Sequence, residues 1–398
     1  MTQRVAIVGA GMGRFGVRDE SAKRLFAEAV AAATASLPSS FDPTRIEEAW
    51  IGSTAFGGWQ LGNTAAYLME QAGLPGIPAR RVENACASSG FALRDAVLAI
   101  RSGQRSLALV GGFEKMNDIS GLHKRYWLGV SGDTPWERMA GATFPGVYAM
   151  MARRHMHEYG TTAEDLAHIA VKNHANGAHN PHAQFQKAIT LDKALGSPEV
   201  AAPLRMFDCC STTDGAAAVI LANEDLATQL TDTPIWIDGS GAASDYLAVH
   251  DRPSMTVLEA TRQASAAAYQ QAGVSPEQID FAEVHDCFTI AELLAIEDLG
   301  FCAKGDGGRF TREGHTSLQG DIAINPSGGL KAKGHPLGAT GAGQAVEVFE
   351  QFTGRAGARS VNDAQVALTH NVGGSGATCA VHIYRKWDAP MPARGARA

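Results

Sequence analysis

The chain has 398 residues, 45% of them hydrophobic and 19% charged, with a formal net charge of −7. That balance excludes a largely disordered chain and argues against a nucleic-acid surface, while the length suffices for two domains or one large duplicated fold. Six cysteines are scattered without the density of a disulfide scaffold, which points to free thiols and a reducing compartment.

In chain order, Val5-Ala-Ile-Val8 reads as a core strand that begins almost at the first residue, so no targeting peptide is expected. No apolar run reaches the roughly 18 to 20 residues of a membrane span, and Arg394-Gly-Ala-Arg-Ala398 is not a peroxisomal tripeptide. A cytoplasmic protein is therefore expected, with neither nucleic acid nor membrane as partner. Gly11-Met-Gly13-Arg-Phe-Gly16 has the spacing of a dinucleotide loop. No acidic residue closes a second strand about twenty residues later, so a strand-to-loop turn is the better reading. An Ala-rich helix follows, from about Ser21 to Leu37, and leads through Asp42-Pro-Thr-Arg-Ile46-Glu-Glu-Ala49 into a second strand.

Cys86 comes next, in Arg81-Val-Glu-Asn-Ala-Cys-Ala-Ser-Ser-Gly90, between a short strand and a helix starting near Ala87. A sulfur there faces unpaired N–H groups and the positive end of the helix dipole, so its pKa is expected below the usual value of about 8.5. Small neighbours leave room for a substrate, which makes Cys86 a candidate nucleophile; a buried structural thiol is the alternative.

Ser106-Leu-Ala-Leu-Val110 reads as a buried strand. From about 115 to 205 the alternation of strand and helix stops and His, Asn, Trp and Met accumulate, as in an insertion lying over the core. Within it, His174, His179 and His182 match no common zinc spacing and are assigned to a polar loop. Trp127, Met150, Met151 and Met156 are hydrophobic candidates for lining a pocket, with core packing as the alternative. An anionic substrate would need a basic patch, for which Lys331, Lys333, Lys172, Lys187 and Arg153 are the candidates. Cys209 and Cys210 are assigned to packing, and Asp214-Gly-Ala-Ala-Ala-Val-Ile-Leu-Ala222 returns the chain to the core.

The grammar of the first half then recurs. A strand, Ile235-Trp-Ile237, precedes a second Ala-rich helix, about Thr256 to Ala272, which leads through Ser275-Pro-Glu-Gln-Ile279-Asp-Phe-Ala282. Ile46 to Ile279 and Ala49 to Ala282 are the same distance apart (279 − 46 = 282 − 49 = 233), which indicates a duplicated α/β unit. The second half holds three further candidate segments. His285-Asp-Cys287-Phe288 ends a strand and pairs a second thiol with a histidine. His335 sits among glycines in Gly334-His-Pro-Leu-Gly-Ala-Thr-Gly341. His370-Asn371-Val-Gly373-Gly374 follows the buried strand Gln365 to Thr369, and its backbone N–H groups suit a developing oxyanion.

Together, Asn84-Ala-Cys86-Ala-Ser-Ser-Gly90, His285-Asp-Cys287-Phe288, Gly334-His335-Pro336 and His370-Asn371-Val-Gly373-Gly374 resemble the four active-site loops of thiolases, in the family order. The second and fourth are similar to the sterol carrier protein type. The resemblance implies an α/β thiolase fold, five-layered αβαβα, built from an N-terminal half (1–245, with a loop domain at about 115–205 inserted) and a C-terminal half (246–398). It further implies a CoA-dependent enzyme acting on 3-oxoacyl-CoA, in fatty-acid, branched-acid or sterol side-chain degradation. Acyl-CoA and CoA would be substrates, with no permanently bound cofactor and no metal. Cys86 would carry the acyl group, His335 accept its proton, and Cys287 handle the enolate proton, Asn371 standing where other thiolases keep a cysteine. His285 and His335 would hold the enolate oxygen, and the N–H groups of Cys86 and Gly373 the oxyanion. Asn371 and His370 would support the site, and Ser327 and Gly328 bind the pantetheine arm. A homodimer or homotetramer is implied. The alternatives are a thiolase-fold acyltransferase or carbon–carbon lyase that needs a small partner subunit, and a non-catalytic acyl-binding scaffold.

Overall fold

The computed structural model describes residues 3–58 and 60–389, so the tail Arg394 to Ala398 lies outside the described residues. Its strands are β1 (Val5–Met12), β2 (Glu48–Gly52), β3 (Ala79–Val82), β4 (Leu107–Glu114), β5 (Glu199–Ala201), β6 (Leu204–Arg205), β7 (Gly215–Asn223), β8 (Ile235–Ser244), β9 (Phe281–Glu283), β10 (Ala323–Ile324), β11 (Val366–Gly373) and β12 (Thr378–Arg385). β5 and β6 form a ribbon of their own, and the other ten run in the order β10-β9-β11-β12-β8-β1-β7-β4-β2-β3.

Read outward from the junction of β1 and β8, the two arms have the same order and the same mixture of parallel and antiparallel pairs. β8 thus holds in the second arm the place of β1 in the first. The second unit begins at Ile235, ahead of the boundary expected at 245/246. The 233-residue repeat is real: Pro43–Arg45 and Pro276–Gln278 are matching 3-10 turns, each opened by proline and each leading into a strand, β2 or β9.

Side chains alternate across each strand, and both faces are covered, which explains the continuous apolar runs. Val5 and Ile7 of β1 face an inner core with Ala92, Val97, Ala345 and Phe349, while Ala6 and Val8 face an outer one with Leu25, Phe26 and Val30. The inner core holds the helices Ser88–Arg101 and Thr340–Phe352. The helices Ala22–Ala35 and Glu259–Ala272 cover the outer faces of the first and second arms, which gives five layers, αβαβα. Each large side chain so buried stabilises by roughly 1.5–3 kcal/mol.

The insertion between β4 and β7 builds its own helices, Gly121–Gly129, Phe144–Tyr159 and Ala163–Gly177. It packs on the opposite arm: Val147, Met151 and Ile169 share a core with Cys287, Phe288, Ile290 and Leu293. His174 lies in the last turn of one of these helices and is buried, not in a polar loop. Its charge is expelled by burial, which lowers its pKa to about 4. Gly11 is a packing residue, since a Cβ there would lie 2.3 Å from the backbone nitrogen of Ala33. Among the described residues no helix is long and apolar enough to cross a membrane.

Candidate active site

Four loops at strand ends converge. Cys86 follows β3, His285 to Phe288 follow β9, His335 follows β10, and Asn371 to Gly374 close β11. Cys86, Cys287, His335 and Gly374 line one cavity of about 120 Å³. Three other grooves are larger, about 570, 740 and 260 Å³, but hold no cysteine or histidine, so volume alone does not mark the site.

The chain turns sharply to present Cys86: Ala85 has φ 49°, a left-handed conformation that costs about 1 kcal/mol and persists only when its surroundings enforce it. The helix begins at Ser88 with no side-chain cap, and the backbone N–H groups of Gly374 and Cys86 favour the thiolate. Even so, burial pushes the thiol up to about 12, the reverse of the lowering expected. A helix terminus contributes about 0.3–1 kcal/mol, less than the loss of water around a buried anion. Cys86 therefore rests as a thiol and needs a base.

His335, with a ring nitrogen within 4.8 Å of the Cys86 sulfur, is placed to act as one. Its Nδ1 lies 2.8 Å from Thr340 Oγ1, and that hydroxyl donates its only hydrogen to the Pro336 carbonyl, so Nδ1 carries the proton and Nε2 is bare. Burial lowers its pKa to about 3, which keeps the ring neutral. His285 has the opposite tautomer. The Asn371 amide is pinned, with Oδ1 accepting from Gly90 N at 3.2 Å and Nδ2 donating to Cys86 O at 2.9 Å. Nδ2 also lies 3.4 Å from His285 Nδ1, which must accept, leaving the hydrogen on Nε2, an atom with no protein partner. The rings meet edge to face with centroids 5.0 Å apart. Only glycine fits at position 90, where a Cβ would lie 2.7 Å from Asn371 Oδ1. Behind them, His370 accepts the His285 backbone N–H on Nδ1 and contacts Thr261 through Nε2.

The Cys86 sulfur and one ring nitrogen each of His285 and His335 lie within 4.8 Å of one another, a spacing that three metal ligands could use. The Asn371 amide opposes that, because a His285 nitrogen that carries hydrogen has no lone pair for a metal.

Several expectations change. Gly374, not Gly373, reaches the cavity; Gly373 is the last residue of β11, opposite Thr378. Cys209 and Cys210 also line the cavity, and Cys210 N donates to Cys287 O at 3.0 Å. Cys287 is pushed well above the usual thiol range, first by burial and then by Cys210 and Cys86. Ser327 and Gly328 do not line it. The Ser327 hydroxyl and N–H both serve the buried Glu283 carboxylate, and Gly328 packs on Gly177. Lys331 and Lys333 form no open basic patch: both are buried, Lys331 bonded to the Cys209 carbonyl and Lys333 paired with Glu283. Lys172 is paired with Glu292. The apolar wall is made by Met116, Leu128, Phe144 and Leu337; Met151 is buried in the insertion's core, Met150 is exposed, and neither Trp127 nor Met156 reaches the wall.

Buried carboxylates tie these loops together, a feature not singled out from sequence. Glu114 accepts from the backbone N–H groups of Thr54, Phe56 and Gly338, each at 3.0 Å. Asp286 accepts from Leu330 N at 2.6 Å and Asn173 Nδ2 at 2.8 Å.

Family profiles match the two arms: "Thiolase, N-terminal domain" over residues 5–225 and "Thiolase C-terminal domain-like" over 241–386. The chain belongs to the thiolase family. Among relatives of this thiolase, an acetyl-CoA acetyltransferase of Methanothermobacter thermautotrophicus is 44% identical over 384 residues, 96% of this chain and 99% of that one. Sterol carrier protein 2 of Bos taurus is 36% identical over 415 residues, 97% and 73% of the two chains. Among solved structures, an "Ltp2-ChsH2(DUF35) aldolase" superposes with TM-score 0.83 at 24% identity (98% and 99% covered). Human mitochondrial 3-ketoacyl-CoA thiolase does so with 0.75 at 18% (97% and 99%); both likenesses concern the fold.

Proposed function

We propose that this thiolase cleaves, or in reverse forms, 3-oxoacyl-CoA through an acyl group carried on Cys86, with CoA as co-substrate and no permanently bound cofactor. The observation that carries this reading is a small cavity lined by the Cys86 and Cys287 thiols and the neutral His335 ring, with His285, neutral and of the opposite tautomer, packed edge to face behind His335. The full-length likeness to an acetyl-CoA acetyltransferase supports the acyl-transfer class.

His335 Nε2 takes the Cys86 proton as the sulfur attacks the 3-oxo carbon. The oxyanion that forms is held by the N–H groups of Cys86 and Gly374, each donor of this kind being worth roughly 3–4 kcal/mol. Collapse breaks the carbon–carbon bond, leaving an acyl-Cys86 and the enolate of the released acyl-CoA. The enolate oxygen accepts from His285 Nε2–H and from the now protonated His335. Cys287 donates its thiol hydrogen to the enolate carbon and then, as thiolate, takes the proton of incoming CoA, whose sulfur attacks the acyl-enzyme. Cys86 leaves as thiolate and recovers its proton from His335, closing the cycle.

The short apolar wall of Met116, Leu128, Phe144 and Leu337 favours a short acyl group. Degradation of short fatty or branched acyl chains is the metabolic setting that suits this wall, the bulk of a sterol side chain exceeding it, with the enzyme a cytoplasmic homodimer or homotetramer. The test is turnover on a graded panel of 3-oxoacyl-CoA esters, with intact-mass detection of acyl-Cys86. Turnover is expected to fall beyond about six acyl carbons, from a cavity of about 120 Å³; the absence of any adduct on Cys86 would sink the reading.

A further inference from the structure

The insertion delivers to the thiol cavity one buried polar group that this scheme leaves unused. Tyr148 lies on the helix Phe144–Tyr159, whose first turn brings Phe144 and Pro145 into the cavity wall. Its ring stacks on Phe288 with centroids 4.5 Å apart, holding the phenol beside Cys287. The hydroxyl donates to the Gly374 carbonyl at 3.2 Å, and Tyr148 packs with Cys287 and Phe288 in one buried cluster. Gly374 in turn offers its N–H to Cys86. One hydroxyl therefore sits where the Gly374 loop meets the helix-bearing segment of Cys287 and Phe288, and at 1% exposure the Tyr148 side chain is shut off from solvent.

A phenol has one hydrogen and two lone pairs. While Cys287 is a thiol, its S–H can point at the phenol oxygen and the phenol O–H at Gly374. Once the proton has gone to substrate carbon, the sulfur is a buried anion, and the groups facing it are Cys86, Cys210, Asp286 and Tyr148. Cys86 and Cys210 offer at most a weak S–H donor, and the Asp286 carboxylate only accepts, from Leu330 N and Asn173 Nδ2; of the four, Tyr148 carries the strong donor. A hydrogen bond to a charged group is among the stronger kinds, and a buried anion without one is costly.

We infer that Tyr148 is a positioning residue for the proton traffic of Cys287, its hydroxyl turning from the Gly374 carbonyl to the Cys287 sulfur whenever that sulfur becomes a thiolate. The inference rests on Cys287 being the acid and base of the reaction. No bond to Tyr148 is made or broken: the hydrogen that reaches carbon is that of Cys287, and the one that restores it is that of CoA.

The experiment compares wild type, Tyr148→Phe and Cys287→Ala. Three quantities are read: acetylation of Cys86 by acetyl-CoA, exchange of the acetyl-CoA methyl hydrogens with D2O, and the pH midpoint of iodoacetamide alkylation at Cys287 and at Cys86. Phenylalanine preserves the stack on Phe288. Tyr148→Phe is expected to acetylate Cys86 at the wild-type rate, to exchange methyl hydrogens about 10- to 100-fold more slowly, and to raise the Cys287 midpoint by about one to two pH units while the Cys86 midpoint stays. An unmoved Cys287 midpoint, or Cys86 acetylation falling in step with exchange, overturns the inference. If Cys287→Ala keeps wild-type exchange, the reading of Cys287 fails instead; if it loses exchange while Tyr148→Phe does not, only the role of Tyr148 falls.

Discussion

In the first arm the loop after β3 carries Cys86 on a turn where Ala85 has φ 49°. In the second arm the matching loop, after β10, opens with Asn325 at φ 56° but carries His335 and no thiol. The loop after β2 is pinned to Glu114 and has no acid or base directed at substrate, whereas its counterpart after β9 brings His285 and Cys287. Strand order and handling of the strand ends are common to both arms. The difference lies in what the loops carry: one thiol on the first arm, a thiol and two histidines on the second, which the proposed scheme assigns to carbon and proton chemistry in turn. A duplicated sheet thus yields one asymmetric site, because both sets of strand ends open on the same cavity.

The sharpest way to break that comparison is to remove one thiol from each arm. Cys86→Ala is expected to abolish acyl-enzyme formation and lower turnover by about 10⁴-fold or more. Cys287→Ala should lower turnover by about 10²–10⁴-fold yet leave acetylation of Cys86, read by mass spectrometry, intact. Equal loss of acetylation in both variants would contradict a division between arms.

Next in size is the link between the arms. Asn371→Ala removes the amide that bonds Gly90 and Cys86 and orients His285; we expect about 10- to 100-fold lower turnover and a loss of about 1–3 kcal/mol in stability by denaturant unfolding. Asn371→Asp offers Oδ1 to Gly90 but no hydrogen to Cys86 O, and should not rescue turnover.

A smaller effect should appear as a pH dependence. His382 of the second arm bonds Gly90 O of the first at 3.0 Å, and burial lowers its pKa to about 4. The unfolded chain takes up this proton near pH 6.5 and the folded chain does not, so the stabilising contribution is complete above about pH 6.5 and is lost as pH falls toward 4. His382→Gln, which cannot titrate, should gain on wild type by up to about 1.4 kcal/mol per pH unit across that window, read as the difference in melting free energy. A constant difference from pH 7 to 4 would show that His382 is not held neutral.

The smallest expected effect separates the two outer helices. Ser21 caps Ala22–Ala35 by accepting from Arg24 N, whereas Glu259–Ala272 has no side-chain cap and is anchored instead by Asp298 accepting from Leu258 N. Ser21→Ala should cost about 1 kcal/mol and leave kinetics unchanged.

Much of this was legible in the chain. The two Ala-rich helices, the paired Pro-initiated turns 233 residues apart and the glycine-flanked strands repeat because each arm must bury the same faces, so periodicity alone reports them. The site-bearing loops were legible through residue types rare in plain turns. What was not legible is the pairing of distant polar groups. Ser327 reads as a hydroxyl free for a ligand until Glu283 is seen beside it, and Lys331 and Lys333 read as surface charge until the arms close over them. Cys209 and Cys210 read as filler, since nothing local says that they face Cys287.

The sequence by itself determined the duplicated α/β layout, the thiolase loops and the two candidate thiols, because hydrophobic period, turn residues and short motifs are local properties of the chain. The tertiary structure alone decided the protonation of the site. Whether Cys86 rests as thiol or thiolate, which nitrogen of each histidine carries hydrogen, and whether Gly373 or Gly374 meets the sulfur depend on burial and on partners up to 285 residues away, such as Asn371 against Cys86. Desolvation and hydrogen-bond direction act between groups that only folding brings together.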